Sequence, residues 1–119
     1  MKSEIKSFTH AWNGILYAIR SEKHMRFHLL ATILVVIAGW FFNINTTEWC
    51  LIILCIGGVC TAELFNTAFE QLVNLVSPQH NLIAGRVKDV AAGAVLIFSI
   101  AALIIGLIVF VPKILAYTL

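Results

Sequence analysis

The chain has 119 residues, 61% of them hydrophobic and 12% charged, with a net charge of +2. With a mean hydropathy of +0.95, this balance lies far from that of soluble domains and marks a small all-α integral membrane protein, one domain over residues 1–119. No length remains for a separate soluble catalytic domain, so the helices must form the whole core.

Residues 1–27 are the first predicted element. Ile5, Phe8, Trp12, Ile15, Leu16 and Ile19 recur at three and four residues, while Lys6, Thr9, His10, Asn13 and Arg20 fill the other face. That is an amphipathic helix lying in the headgroup plane, its aromatic rings dipping toward the acyl chains. Its apolar residues are spaced and no small-residue cleavage site follows, so it is not a signal peptide. A simple anchoring role fits the same pattern.

Three apolar segments follow. The first transmembrane span is expected over 29–47, with Asn43, Asn45, Thr46 and Thr47 as its polar exit. The second, 49–76, covers about 42 Å at the helical rise per residue, more than a hydrocarbon core of about 30 Å, so its far end projects from the bilayer. Ser77 and Pro78 stop it. The third, 89–111, opens at Lys88 and Asp89, crosses with ease, and ends at Pro112 and Lys113.

Basic residues set the orientation. The arm carries Lys2, Lys6, Arg20, Lys23 and Arg26, and the second loop carries Arg86 and Lys88, whereas NINTTEW in the first loop has none. The N-terminus and second loop are therefore expected in the cytoplasm, with the first loop and C-terminus outside and Lys113 a minor exception. Trp40, Trp49 and Tyr117 would mark the outer interface.

Polar residues persist where the second span should be buried. Glu63 lies about 21 Å inward from Trp49 and Glu70 about 10 Å further, and Asn66 and Thr67 share their helix face. A carboxylate at membrane depth points to function by default, although Asn66 and Thr67 can also serve as interhelical glue. Glu22, Glu70 and Asp89 with Lys88 form a set suited to a divalent cation and a polyphosphate, since carboxylate oxygens suit Mg²⁺ and lysine suits phosphate. Ordinary interfacial charge is the other reading, and it covers Glu4, Lys23 and Arg20. Cys50, Cys55 and Cys60 scatter around the second helix, which indicates neither a metal site nor a disulfide framework. Gly57, Gly58, Ala91, Ala92, Gly93 and Ala94 offer small surfaces for close helix approach.

The run ELFNTAFEQLVNLVSP followed by AGRVKDVAAGAVL resembles the signature of the small bacterial integral membrane diacylglycerol kinases: an E-x-x-N-[ST]-A-[IF]-E block, then K-D-x-[AG]-[AS]-A-V. AWNGILYAIRSEKHMRFHLLA is similar to the family's surface helix and first span, so the likeness covers nearly the whole chain. It implies a homotrimeric, multi-pass enzyme of the bacterial inner membrane, with sites shared between subunits, that uses ATP and Mg²⁺ to phosphorylate a lipid alcohol.

Carried over by position, the resemblance makes Glu63 the general base, Glu22 and Glu70 the Mg²⁺ ligands, and Asn66 an orienting group in the nucleotide site. Lys88 and Asp89 would hold the nucleotide, with Gln79, His80 and Asn81 in the loop that meets it. Trp12 and Arg26 match positions near the lipid, although anchoring and snorkelling also account for them. His10 stands where one branch has a tyrosine facing the nucleotide, and it equally suits a solvated helix face; His28 stands where that branch has a glutamate. SEKHMRFH and IIGLIVFVPK look more like the undecaprenol kinase branch, so undecaprenol is the expected substrate and diacylglycerol, giving phosphatidic acid, the alternative. No Walker-type or dinucleotide motif is present, so nucleotide binding rests on the resemblance alone. The competing class is a non-catalytic oligomeric ion or proton pathway built from Glu63 and Glu70.

Overall fold

The structure, a computed structural model, describes all residues Met1–Leu119. Its regular structure is four helices: α1 (Lys2–Ser21), α2 (Lys23–Phe41), α3 (Thr46–Val76) and α4 (Leu82–Thr118). The last three are long and apolar enough to cross a membrane.

The surface helix stops earlier than its pattern suggests. At Glu22 the backbone turns extended, with φ −114° and ψ 118°, although neither glycine nor proline is nearby. Arg26, one turn into α2, supplies the cause: its Nη1 donates to the carbonyls of Ile19 at 3.0 Å and Arg20 at 2.8 Å. Those carbonyls would otherwise lack partners at the helix end. Residues 23–27 therefore belong to the spanning helix, which ends at Phe41, short of the expected 47. Met1 to Gly14 are exposed, including Phe8 and Trp12, so α1 projects from the bundle with its apolar face uncovered. Its far end is seated by buried Ala18, and Met25 is buried just beyond the corner.

A short connection joins α2 to α3. Asn43 takes the left-handed conformation (φ 52°), which asparagine tolerates better than most side chains. Asn45 then forms a reciprocal capping box: its Oδ1 accepts from the Glu48 N–H at 2.9 Å, and Glu48 Oε1 accepts from the Asn45 N–H at 3.0 Å. That cap starts α3 at Thr46, ahead of Trp49. Glu48 also pairs with Lys113 of α4 at 3.1 Å, which gives the one basic residue of the C-terminal end a partner.

The backbone N–H of Asn45 holds the Glu48 carboxyl below its ordinary value, against partial desolvation and with help from Lys113. A carboxyl lowered in the folded state contributes stability above its unfolded value, 4.5, and loses it as pH falls through the lowered folded value. Thermal unfolding in detergent should therefore show an acid-side loss starting near pH 4.5 that Glu48→Gln lacks. Asn45→Ala should cost about 1 kcal/mol at neutral pH. Superimposable acid profiles for the unaltered chain and Glu48→Gln would show the cap to be energetically silent.

Ile44, Ile52 and Val109 form the main buried cluster, with Val35, Phe42, Trp49, Ile56, Ile105 and Phe110 packed around it. The core thus sits toward the first-loop end of the bundle. Trp49 is half-buried there; a Cβ placed at Gly39 would lie 2.7 Å from its Cη2. Trp40 remains exposed.

Helix α4 starts at Leu82, because Asn81 Oδ1 accepts from the N–H groups of Ile83 (2.8 Å) and Ala84 (3.3 Å). It continues through Pro112 to Thr118, past the proline expected to stop it. Proline removes one hydrogen bond, but lost bonds of this kind are tolerated where neighbouring helices hold the segment. Here Lys113 binds Glu48, and the Tyr117 ring meets those of Phe41 and Phe42 at 5.4 and 6.2 Å between centroids. Of the small residues expected at helix contacts, Gly58 meets Phe98 of α4, whereas Gly57 and Gly93 face open space. In all, 10 of 119 residues are buried, so most apolar side chains of α2 and α4 face outward.

Candidate functional site

Glu63 is the most buried acidic residue, 3% exposed, on the face of α3 that meets α2. His28 of α2 stands opposite, its Nε2 3.5 Å from Glu63 Oε2. A turn further along, Thr67 is also buried, and its Oγ1 donates to the Glu63 carbonyl at 3.0 Å. That bond satisfies the hydroxyl locally and leaves the carboxylate to its partner on α2.

The helix face expected to be a single stripe meets two different neighbours. Glu63 faces α2, whereas Asn66 lines an apolar groove beside α4 with Phe65, Phe69, Ala91, Ala94 and Phe98. The Asn66 Oδ1 is buried there without a hydrogen-bond partner. Buried polar atoms are rarely left unpaired, so this atom is free to accept from another molecule. Glu70 is half-buried further along α3.

A second cavity, about 420 Å³, lies among α2, α3 and α4, within the size range of ligand sites. One end is bounded by His28, Thr32, Cys60 and Ser99, the other by Val35, Ile52 and Phe110. It is apolar along most of its length; His28, at its polar end, is the lining residue that reaches Glu63, which is not itself part of the lining. This arrangement can hold a hydrocarbon chain and bring a group at its end to His28, the side chain that meets the Glu63 carboxylate.

The remaining expected residues are spread over the loop end of the bundle. Lys88, half-buried in α4, donates to Asn74 Oδ1 at 2.7 Å, a tie between α3 and α4 that the sequence pattern does not signal. Asp89, Gln79, His80 and Asn81 are exposed, and Asn81 caps α4 with its side chain. Glu22 is half-buried at the α1–α2 corner, His10 and Trp12 are exposed on α1, and Arg26 is engaged with the α1 carbonyls.

The single chain brings together no group of three His, Cys, Asp or Glu side chains, so it forms no all-protein metal cage. The half-buried carboxylates of Glu22 and Glu70 are nonetheless the hard oxygen donors that suit Mg²⁺, which commonly takes one or two carboxylates and completes its shell with phosphate oxygens and water. By donor chemistry, these residues fit a nucleotide-associated Mg²⁺.

Residues 9–110 match the family model described as prokaryotic diacylglycerol kinase. The undecaprenol kinase of Bacillus subtilis is 44% identical to this chain, over 91% of it and 88% of that protein. The diacylglycerol kinase of Synechocystis is 34% identical over 92% of this chain and 63% of its own length. That of Escherichia coli K12 is 29% identical over 84% and 82% respectively.

Proposed function

The chain belongs to the prokaryotic diacylglycerol kinase family, and on that premise we propose that it transfers the γ-phosphate of ATP to the hydroxyl of undecaprenol, giving undecaprenyl phosphate. The observation that carries the reading is the buried Glu63 carboxylate 3.5 Å from His28, which itself lines the polar end of an apolar cavity. The identity to a named undecaprenol kinase, well above that to the diacylglycerol kinases, favours the polyprenol. Kinase membership also weighs against the ion or proton pathway.

A lipid alcohol reaches the cavity sideways from the bilayer, its chain among Val35, Ile52 and Phe110 and its hydroxyl toward Glu63. Glu63 takes the hydroxyl proton as the oxygen attacks the γ-phosphorus; the new O–P bond forms as the bond to the departing ADP oxygen breaks. Lys88 supplies positive charge to the phosphates, with Asp89, Gln79, His80, Asn81 and His10 around the nucleotide and the side-chain Oδ1 of Asn66 accepting from it. Trp12 and Arg26 border the lipid headgroup region. Glu22 and Glu70 would hold Mg²⁺, whose chemistry is to neutralise charge on the phosphate oxygens. Phosphoryl transfer asks chiefly for such positioning and charge compensation.

In this reading the protein is a multi-pass enzyme of the bacterial inner membrane, with its N-terminus and second loop in the cytoplasm with ATP and its C-terminus outside. It assembles as a homotrimer, which would cover part of the outward-facing apolar surface and complete sites shared between subunits.

The test is transfer of labelled γ-phosphate by the purified protein in mixed micelles, with undecaprenol and diacylglycerol in parallel and with Mg²⁺ or EDTA. Undecaprenol should be the better acceptor by at least about tenfold in kcat/KM, a difference of about 1.4 kcal/mol. Preference for diacylglycerol would reassign the substrate; charge movement without lipid phosphorylation would restore the pathway reading.

A further inference from the structure

His28 has no role in the scheme above, yet it is the polar side chain that meets the Glu63 carboxylate. The contact is enclosed, with side-chain exposures of 15% for His28 and 4% for Glu63. The imidazole ring packs edge-on against Phe27 at 5.7 Å between centroids, and the Thr32 hydroxyl beside it is occupied by the His28 backbone carbonyl, to which it donates at 2.8 Å. His28 and Thr32 also bound the polar end of the cavity among α2, α3 and α4.

Resting on the kinase reading, we propose that His28 is a positioning residue: its Nε2–H fixes Oε2 of Glu63, which leaves Oε1 as the acceptor for the proton of an alcohol brought to the polar end of the cavity that His28 lines. The separation of 3.5 Å is long for a hydrogen bond, and catalytic contacts in the absence of substrate commonly are; a small rotation of either side chain closes it. A buried carboxylate without such a donor has several rotamers and no fixed acceptor direction, and misplacement of about 1 Å costs about 100-fold in rate. An imidazole suits this task better than lysine or arginine. It can donate while neutral, so it orients the carboxylate without the fixed positive charge that would make the base a weaker proton acceptor.

The test separates a role exerted through Glu63 from one in packing. His28→Ala should lower kcat for undecaprenol by about 10- to 100-fold with the KM for ATP unchanged. His28→Gln, whose amide reaches the Nε2 position, should recover most of the rate; His28→Asn, whose amide falls short of it, should not. In a Glu63→Gln background, His28→Ala should cost nothing further, because residues acting as one unit are not additive. Full activity of His28→Ala, equal rates for the Gln and Asn variants, or the same loss in both Glu63 backgrounds would each overturn the proposal. Should His28→Ala not fold, the Gln and Asn pair still decides. Absence of lipid phosphorylation by the unaltered chain would overturn the kinase reading and this inference together.

Discussion

Glu63→Gln is expected to lower phosphate transfer to the lipid by at least about 100-fold, the usual contribution of a positioned general base. The glutamine keeps the size of the buried side chain and can still accept from His28, while Thr67 continues to donate to the backbone carbonyl at position 63. Thermal unfolding in detergent should therefore change little. Because a base acts on the reacting proton and not on ATP binding, kcat and kcat/KM should fall together with the KM for ATP unmoved. Wild-type transfer by a correctly folded Glu63→Gln protein would remove Glu63 from the role of base.

The second large effect is structural. Gly58 lies under the ring of Phe98, where even a single added carbon would overlap the aromatic atoms. Gly58→Leu must either swing that ring outward or part α3 from α4 beside Asn66, and overpacking of this kind costs about 1–3 kcal/mol. The variant should unfold at a clearly lower temperature in detergent. Phe98→Ala in the same chain should recover most of the loss, because it removes the overlapping atoms. At Gly57, which has open space around it, the same substitution should do much less. Equal sensitivity at positions 57 and 58 would contradict the packing described for this helix pair.

The three apolar runs and the amphipathic arm follow from residue periodicity, which is local, and Glu63 stands out because a carboxylate in an apolar run is costly. The end of α1 was hidden for a physical reason: no glycine, proline or side-chain cap marks Glu22, and the break depends on Arg26 reaching back to Ile19 and Arg20. Pro112 misleads in the opposite sense, because its local rule yields to the contacts of Lys113 and Tyr117 beyond it.

At the site, angles around α3 put Glu63, Asn66, Thr67 and Glu70 on one side, but which neighbour each meets depends on how helices are arranged around it. Glu63 meets α2 and Asn66 lies beside α4, a separation that no periodicity contains. The pairings His28 with Glu63 and Lys88 with Asn74 likewise depend on register between helices. Arg26 resembles a lipid-site residue by position, and its hydrogen bonds add a task in the fold that position alone does not disclose.

The scarcity of buried residues, 10 in 119, changes what kind of force can select this arrangement. Once the spans are in hydrocarbon, a leucine gains no more from touching a neighbouring helix than from touching an acyl chain, so expulsion of water cannot choose among ways of stacking them. The choice falls to contour and to a few directional ties: a ring seated over a glycine, a lysine reaching a glutamate, a guanidinium on two carbonyls. Such a molecule is discriminated by fit and not by oiliness, and many apolar side chains on its outer faces can be exchanged freely while a handful of small and polar ones cannot.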